Sequence, residues 1–245
     1  MTDERSSNRE VPIWDLPVRL VHWSLPVLLG LLWWSAETHR LDLHLTLGVV
    51  MLGLVAFRLI WGLVGSSTAR FAAFVRGPGA IIDYLRKGSA TPVMGHNPLG
   101  ALSVIVLLGL LVLQVSLGLV AQDTDGLFSG PLNHQVSYDT AEAATEIHEV
   151  VFNVILATVV LHLAAIAWYR LVRRNDLVRP MLTGRKALPE GVPAPRMAPT
   201  WLALVCALLA TLFAVWMHYG APPWGTPFPW DMPGGSAELD VDDYM

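Results

Sequence analysis

Cysteine is almost absent from this chain of 245 residues, which contains only Cys206. A single thiol excludes a disulfide framework, because every disulfide needs two cysteines. It also excludes zinc and iron–sulfur centres that are held by several thiolates. Any cofactor of this chain must therefore be held by other side chains.

Charged side chains are also scarce. They make up 15% of the residues, against about 25% in an ordinary soluble domain. Hydrophobic residues make up 53%, and the mean hydropathy is +0.49. The formal net charge of −4 provides no basic surface for nucleic acid. This composition predicts an all-α integral membrane protein.

Five apolar segments are long enough to cross a bilayer, which requires about 20 mostly apolar residues. They cover residues 18–36, 43–64, 98–120, 147–168 and 200–218. No cleavage site with small residues follows the first segment, so we interpret it as a retained helix rather than a signal peptide.

The connector at 65–97 suits either a small amphipathic helix at the membrane interface or a plain loop. The outer loop is expected to span 121–146.

Lysine and arginine lie almost entirely on one side of these segments. Arg40 is the only one on the other side, whereas the loop between the fourth and fifth segments carries seven. The positive-inside rule therefore places the N-terminus in the cytoplasm and the C-terminus in the periplasm of a bacterial inner membrane. We expect a cytoplasmic segment at 1–17, a four-helix core at 18–186, a linker with the fifth helix at 187–218, and an acidic periplasmic tail at 219–245.

Four of the eight histidines lie within the predicted spans, where ligating residues are functional candidates. His22 lies near the inner end of the first helix, and His44 lies at the outer end of the second. His148 and His162 lie on the fourth helix, 14 residues apart. That spacing is close to four turns, so both rings project from one face, roughly 21 Å apart along the axis.

These depths allow only two pairings, His44 with His148 near the outer face and His22 with His162 towards the inner face. Two opposed imidazoles in an apolar bundle suit a b-type haem. The motif C-x-x-C-H does not occur, so the sequence predicts two non-covalent b haems (heme b). An iron with two histidine ligands has no open position, which indicates electron transfer rather than oxygen chemistry.

Other residues are candidates for contact with these cofactors. Gly48 lies one turn from His44 and Gly30 about two turns from His22, where a missing side chain lets a flat macrocycle approach, although glycines also serve helix packing. Arg58 lies 14 residues after His44, and we expect it to bind a propionate of the inner haem; the alternative is snorkelling to the headgroups. Arg19 completes this cofactor-binding set.

Several stretches resemble the bacterial cytochrome b-561 and nickel–iron hydrogenase b-type cytochrome family. They are VPIWDLPVRLVHW, the H-x-x-x-G of His44–Gly48, FRLIWGLVGSSTARFAAFVRGP, GHNPLGALSV, HEVVFNVILATVVLHLAAIAWYR and LVRRNDLVRPMLTGRK. The resemblance covers roughly residues 11–186. It implies a four-helix transmembrane di-haem bundle with His22, His44, His148 and His162 as ligands. The fifth helix, the acidic tail and the long outer loop depart from that pattern.

The resemblance also implies electron transfer between a periplasmic redox partner and the membrane quinone pool. The outer loop and tail carry ten acidic residues and no lysine or arginine, so we expect a basic partner such as a lysine-rimmed cytochrome c, with a hydrogenase-like subunit as the alternative. Two other functions stay open. One is a self-contained quinone-linked oxidoreductase acting on a small substrate such as superoxide, and the other is a proton or metal transporter that uses the histidines.

Overall fold

The computed structural model describes residues 8–75, 77–87, 95, 97–123, 128–189 and 192–221. Five of its helices are long and apolar enough to span a membrane, which confirms the predicted multi-pass, all-α architecture. The predicted acidic tail lies outside the described residues except for its first three. In chain order the helices are Leu16–Glu37 (α1), Leu41–Val64 (α2), Phe71–Phe74 (α3), Pro78–Lys87 (α4), Pro98–Val120 (α5), Tyr138–Leu171 (α6), Val178–Thr183 (α7) and Thr200–His218 (α8).

Two spanning helices, α1 and α5, begin with a side-chain cap that is closely followed by a proline. Asp15 precedes α1, and its Oδ1 accepts a hydrogen bond from the Val18 amide at 2.8 Å. Asn97 precedes α5 in the same way and accepts from the Gly100 amide at 2.7 Å. Each cap satisfies an amide that has no partner within the helix, and the proline that follows closely fits the first turn.

The fourth span differs from its predicted length. The helix α6 has 34 residues and begins at Tyr138, nine residues before the predicted start of the span at 147, so the outer loop is shorter than expected. Ser137 caps the helix by accepting from the Thr140 amide, and the polar, alanine-rich stretch that follows favours helix. Hydropathy places the start of the span at the first apolar residues, although the helix itself begins earlier, in polar residues.

A two-stranded antiparallel sheet was not predicted. Asn8–Pro12 (β1) pairs with Arg185–Pro189 (β2), with Asn8 opposite Pro189 and Pro12 opposite Arg185. The two segments are more than 170 residues apart in the chain, and neither shows a pattern long enough to indicate a strand by itself. The sheet places the residues before α1 and those after α6 on the same side of the bundle.

The helix α2 is the centre of the packing, because α1, α5 and α8 all lie closely against it. The fifth span α8 approaches through the small side chains of Cys206, Ala210 and Ala214, and the Cβ of Ala214 would lie 3.6 Å from a Cβ built on Gly53. Among the described helices, α6 packs closely on α5 and stands off from α1 and α2. The backbone of α6 is therefore farther from the two helices that carry His22 and His44 than from α5, and we call this wider spacing between α6 and α2 the gap.

The connector between α2 and α5 contains the two short helices α3 and α4. The sequence left open whether this connector is a helix or a plain loop, and part of it is helical. The hydroxyl groups of Tyr84 on α4 and Tyr169 on α6 are hydrogen bonded at 2.8 Å. This bond fastens α4 to the end of α6.

Candidate functional site

The structure brings His44 and His148 together across the gap between α2 and α6. Their ring centroids are 6.4 Å apart, and the ring planes are inclined by 70°. The bond from a metal to an imidazole nitrogen is about 2.0 Å long, and the ring centroid lies about 1.1 Å beyond that nitrogen. The centroids of two imidazoles on opposite sides of one metal are therefore roughly 6 Å apart. The observed separation therefore fits two imidazoles on opposite sides of one iron.

Hydrogen bonds fix which nitrogen of each ring faces the gap. The Nδ1 atom of His44 lies 3.0 Å from the Leu32 carbonyl oxygen and 3.3 Å from the Ser35 hydroxyl. The Nδ1 atom of His148 lies 3.0 Å from the Gln114 carbonyl oxygen. A carbonyl accepts, so each ring donates from Nδ1 and keeps the lone pair of Nε2 for a metal, the usual arrangement of ligating histidines.

The second pair lies nearer the opposite end of the bundle. His22 on α1 and His162 on α6 are close enough to interact electrostatically. The Nδ1 atom of His162 is 2.9 Å from the hydroxyl of Ser103 on α5. The Nδ1 atom of His22 is buried and has no hydrogen-bond partner, and its ring meets the Trp23 indole edge-on at a centroid distance of 5.1 Å. An orphaned polar atom in an apolar bundle is costly, which fits a ring whose position depends on a bound group.

A layer of aliphatic side chains separates the two histidine pairs. Ile155 lies seven residues from both His148 and His162 on α6, and it is 1% exposed. The layer around it contains Leu28, Met51, Val55, Leu108, Leu111 and Val151. A non-polar layer therefore lies between the two histidine pairs.

The described residues contain no group of three or more histidine, cysteine, aspartate or glutamate side chains that would hold a bare metal ion. Each site instead offers two imidazoles in an apolar cleft. Two protein ligands suit a haem, because its macrocycle already supplies the other four ligands of the iron. These residues fit a b-type haem at each level.

Arg58 is buried, with 8% of its surface exposed. Its guanidinium carbon lies 5.0 Å from the centroid of the Phe71 ring, and its side chain interacts electrostatically with Asp15. One of its terminal nitrogens is buried without a hydrogen-bond partner. This burial does not fit a side chain that snorkels to the headgroups, and the unpartnered nitrogen leaves a donor for an anion such as a propionate.

The structure adds a carboxylate that the sequence analysis did not consider for Arg58. Asp15 lies just before α1, outside the predicted spans, and its Oδ2 accepts a hydrogen bond from the Trp61 indole at 2.9 Å. Trp61 is one turn beyond Arg58 on α2. The α1 cap thus reaches into the core beside Arg58.

The remaining predicted contact residues lie in different surroundings. A Cβ added at Gly30 or Gly48 would meet no atom within 4 Å, so neither glycine is required by helix packing. Arg19 lies near the N-terminal end of α1 and donates to the Leu182 carbonyl. Its contact role, like that of the two glycines, stays a prediction.

Sequence reasoning missed the residues that orient the histidines, because most act through backbone atoms or hydroxyls with no pattern of their own. Gly118 on α5 is the clearest example. A Cβ built there would lie 3.1 Å from Cε1 of His148, so the absence of a side chain makes room for the imidazole.

Gly118→Ala is therefore expected to push the His148 ring out of position and to lower haem occupancy at the outer site. Gly109→Ala on the same helix is the matched control, because a Cβ there meets nothing within 4 Å and alanine favours helix by about 0.5–1 kcal/mol. Haem content and the reduced-minus-oxidised spectrum of the two variants measure this. Equal haem content in both variants would contradict the assigned role of Gly118.

A comparison with protein families supports the same interpretation. A family model described as prokaryotic cytochrome b561 matches residues 13–184, which is more than two thirds of the chain. The matched region begins just before the α1 cap and ends just after α7, so it contains all four histidines of the two pairs. No curated protein and no solved structure matches the chain.

Proposed function

The chain belongs to the prokaryotic cytochrome b561 family, and from this premise we propose that it relays electrons through two haems between a periplasmic redox protein and the quinone pool. Membership makes it a membrane-bound b-type cytochrome that takes part in electron transfer. The number of haems, the partner and the quinone are our proposal. The observation that carries it is that α6 presents two histidines at two depths, His148 facing His44 and His162 within electrostatic range of His22.

In the proposed mechanism two histidines would hold each haem. His44 and His148 would hold the outer haem, and His22 and His162 would hold the inner one. Each haem would supply one-electron transfer. The hydrogen bonds from Nδ1 of His44 and His148 to backbone carbonyls hold the two outer rings in place, so these rings would need little reorganisation during electron transfer.

The orientation proposed from the charges agrees with the fold. Five spans place the N-terminus of α1 and the end of α8 on opposite sides, and the β1–β2 sheet puts the N-terminal segment on the same side as the segment after α6, which is rich in arginine and lysine. We assign that side to the cytoplasm of a bacterial inner membrane, in accordance with the positive-inside rule. The pair His44–His148 then lies near the periplasm.

The proposed docking face for the periplasmic partner includes the beginning of α6. Four exposed acidic residues, at positions spaced by three or four, form one stripe there: Asp139, Glu142, Glu146 and Glu149. Glu149 is adjacent to His148, so the stripe leads to the outer pair. A negative surface speeds the encounter with a basic partner, which supports a lysine-rimmed c-type cytochrome over a neutral one.

The alternatives have less support. An acidic outer face repels superoxide, which is an anion, so the electrostatics do not favour a superoxide-oxidising enzyme. A proton or metal transporter would need polar groups between the two histidine levels, where the described residues form the aliphatic layer around Ile155.

The proposal is tested with the purified protein in lipid vesicles, by following haem absorbance. A quinol is expected to reduce the haems, and a basic cytochrome c is expected to reoxidise them, at a rate that falls roughly tenfold between low and physiological salt. The double variant Glu142→Gln/Glu146→Gln should weaken this salt dependence. Asp83→Asn, which removes an exposed charge from α4, is the control.

Two outcomes would count against the proposal. Haems that no quinol reduces would contradict the role of the quinone pool. A rate that does not depend on ionic strength would remove the electrostatic account of the partner and would favour a hydrogenase-like subunit docked through other contacts.

A further inference from the structure

An apolar groove of about 530 Å³ lies on the outside of the bundle between α1 and α2. Its floor and walls include Leu20, Val27, Leu31 and Val50, and Val27 is 65% exposed. Along α1 the groove runs from Leu16 to Leu31, which corresponds to about 22 Å of helix. This exceeds the roughly 15 Å of hydrocarbon in one leaflet, so an extended acyl chain fits along it.

The groove is separate from the histidine pairs. His22 is two residues from Leu20, so the two side chains project about 160° apart around α1. No histidine lines the groove. Trp23 stands between the two regions, because it lines the groove and its indole also meets the His22 ring.

A cation lies at the end of the groove nearest the N-terminus. The Arg19 guanidinium lines it, donates to the Leu182 carbonyl and keeps a buried Nε without a hydrogen-bond partner. Among the described residues no carboxylate forms an ion pair with Arg19. By contrast Arg179, on the same side of the bundle, lies 3.5 Å from the Glu10 carboxylate.

The short helix α7 holds this end of the groove in place. The Trp23 indole donates to the Met181 carbonyl at 3.4 Å, next to the Leu182 carbonyl that binds Arg19. Asp176 lies two residues before α7 and accepts hydrogen bonds from the Arg179 and Val178 amides of its first turn, and these bonds lower the pKa of its carboxyl. The guanidinium is thus positioned before any ligand arrives, which reduces the entropy lost on binding.

We infer that this groove is a binding site for one anionic phospholipid, with its phosphate on Arg19 and an acyl chain along Leu20, Val27 and Leu31. An uncompensated cation at headgroup level attracts a negative phosphate. The apolar length below it accepts the chain. A zwitterionic lipid fills the same groove with less gain, because its own positive group competes with Arg19 for the phosphate.

The test is native mass spectrometry of the full-length protein in detergent, titrated with phosphatidylglycerol or with phosphatidylcholine of the same chains. The wild type is expected to retain one phosphatidylglycerol with several-fold preference. Arg19→Gln should abolish the preference but keep chain binding, whereas Val27→Trp should fill the groove and abolish both. Arg70→Gln, which removes an exposed charge on the same side away from the groove, and Leu208→Trp, on the exposed face of α8, are the matched controls.

The circular dichroism spectrum and the size-exclusion elution volume of each variant confirm that it has folded. Equal retention of both lipids by the wild type, or an unchanged preference in Arg19→Gln, would overturn the inference. So would displacement of the bound lipid by a quinone together with loss of quinol oxidation in Val27→Trp, since the groove would then be the quinone site. Because the readout is bound lipid mass, this result is independent of whether electrons pass between quinone and a periplasmic partner.

Discussion

Replacing His148 with alanine is expected to lower the haem content from two per chain to about one. The ring of His148 faces that of His44 at 6.4 Å, and loss of either imidazole leaves the outer iron with one protein ligand. The variants His44→Ala and His148→Ala should therefore lose the same component of the reduced-minus-oxidised spectrum. His22→Ala and His162→Ala should both lose the other component.

The shared loss within each pair of variants is the result that tests the pairing of the histidines. His134→Ala is the control, because His134 is an exposed residue of the outer loop and its loss should leave both components. Acidified acetone should extract all haem from the wild type, since no cysteine motif attaches it. One haem per wild-type chain, or a shared component for His44 and His22, would refute the di-haem arrangement.

The histidine pairs could be predicted because depth in a membrane follows from sequence position. The apolar runs set the ends of each helix, and the 14-residue spacing of His148 and His162 fixes a common face. Only two pairings are compatible with those depths. In the structure the rings of His44 and His148 face each other, and His22 interacts electrostatically with His162. The same reasoning could not identify Leu32 and Gln114, because they act through carbonyl oxygens that every residue possesses.

Other features depended on contacts between distant segments. The pairing of Glu10 with Ala187 in the β1–β2 sheet leaves no trace in the local pattern of either strand. The start of α6 at Tyr138 could not be predicted from hydropathy. The apolar segment begins near residue 147, whereas the helix begins earlier, in a polar stretch. The proximity of Asp15 to Arg58 follows from the way the α1 cap folds against α2.

Arg58→Leu is expected to lower the reduction potential of the inner haem and to leave the outer haem nearly unchanged. A buried positive charge favours the reduced form, because reduction removes one positive charge from the iron site. A loss of about 1 kcal/mol of this interaction corresponds to roughly 40 mV for a one-electron couple. Redox titration, with the two haems distinguished by the spectra of the histidine variants, measures the shift.

Asp15 provides a test of opposite sign. Asp15→Asn keeps an acceptor for the Trp61 indole and a good helix cap but removes the negative charge beside Arg58, so it should raise the potential of the inner haem. Arg58→Lys retains the charge and should shift the potential less than Arg58→Leu. If Arg58→Leu moves neither haem, the guanidinium has only a structural role beside Asp15 and Phe71. If it moves the haem that is lost with His44, the inner and outer assignments must be exchanged, because Arg58 would then lie at the level of the His44–His148 pair.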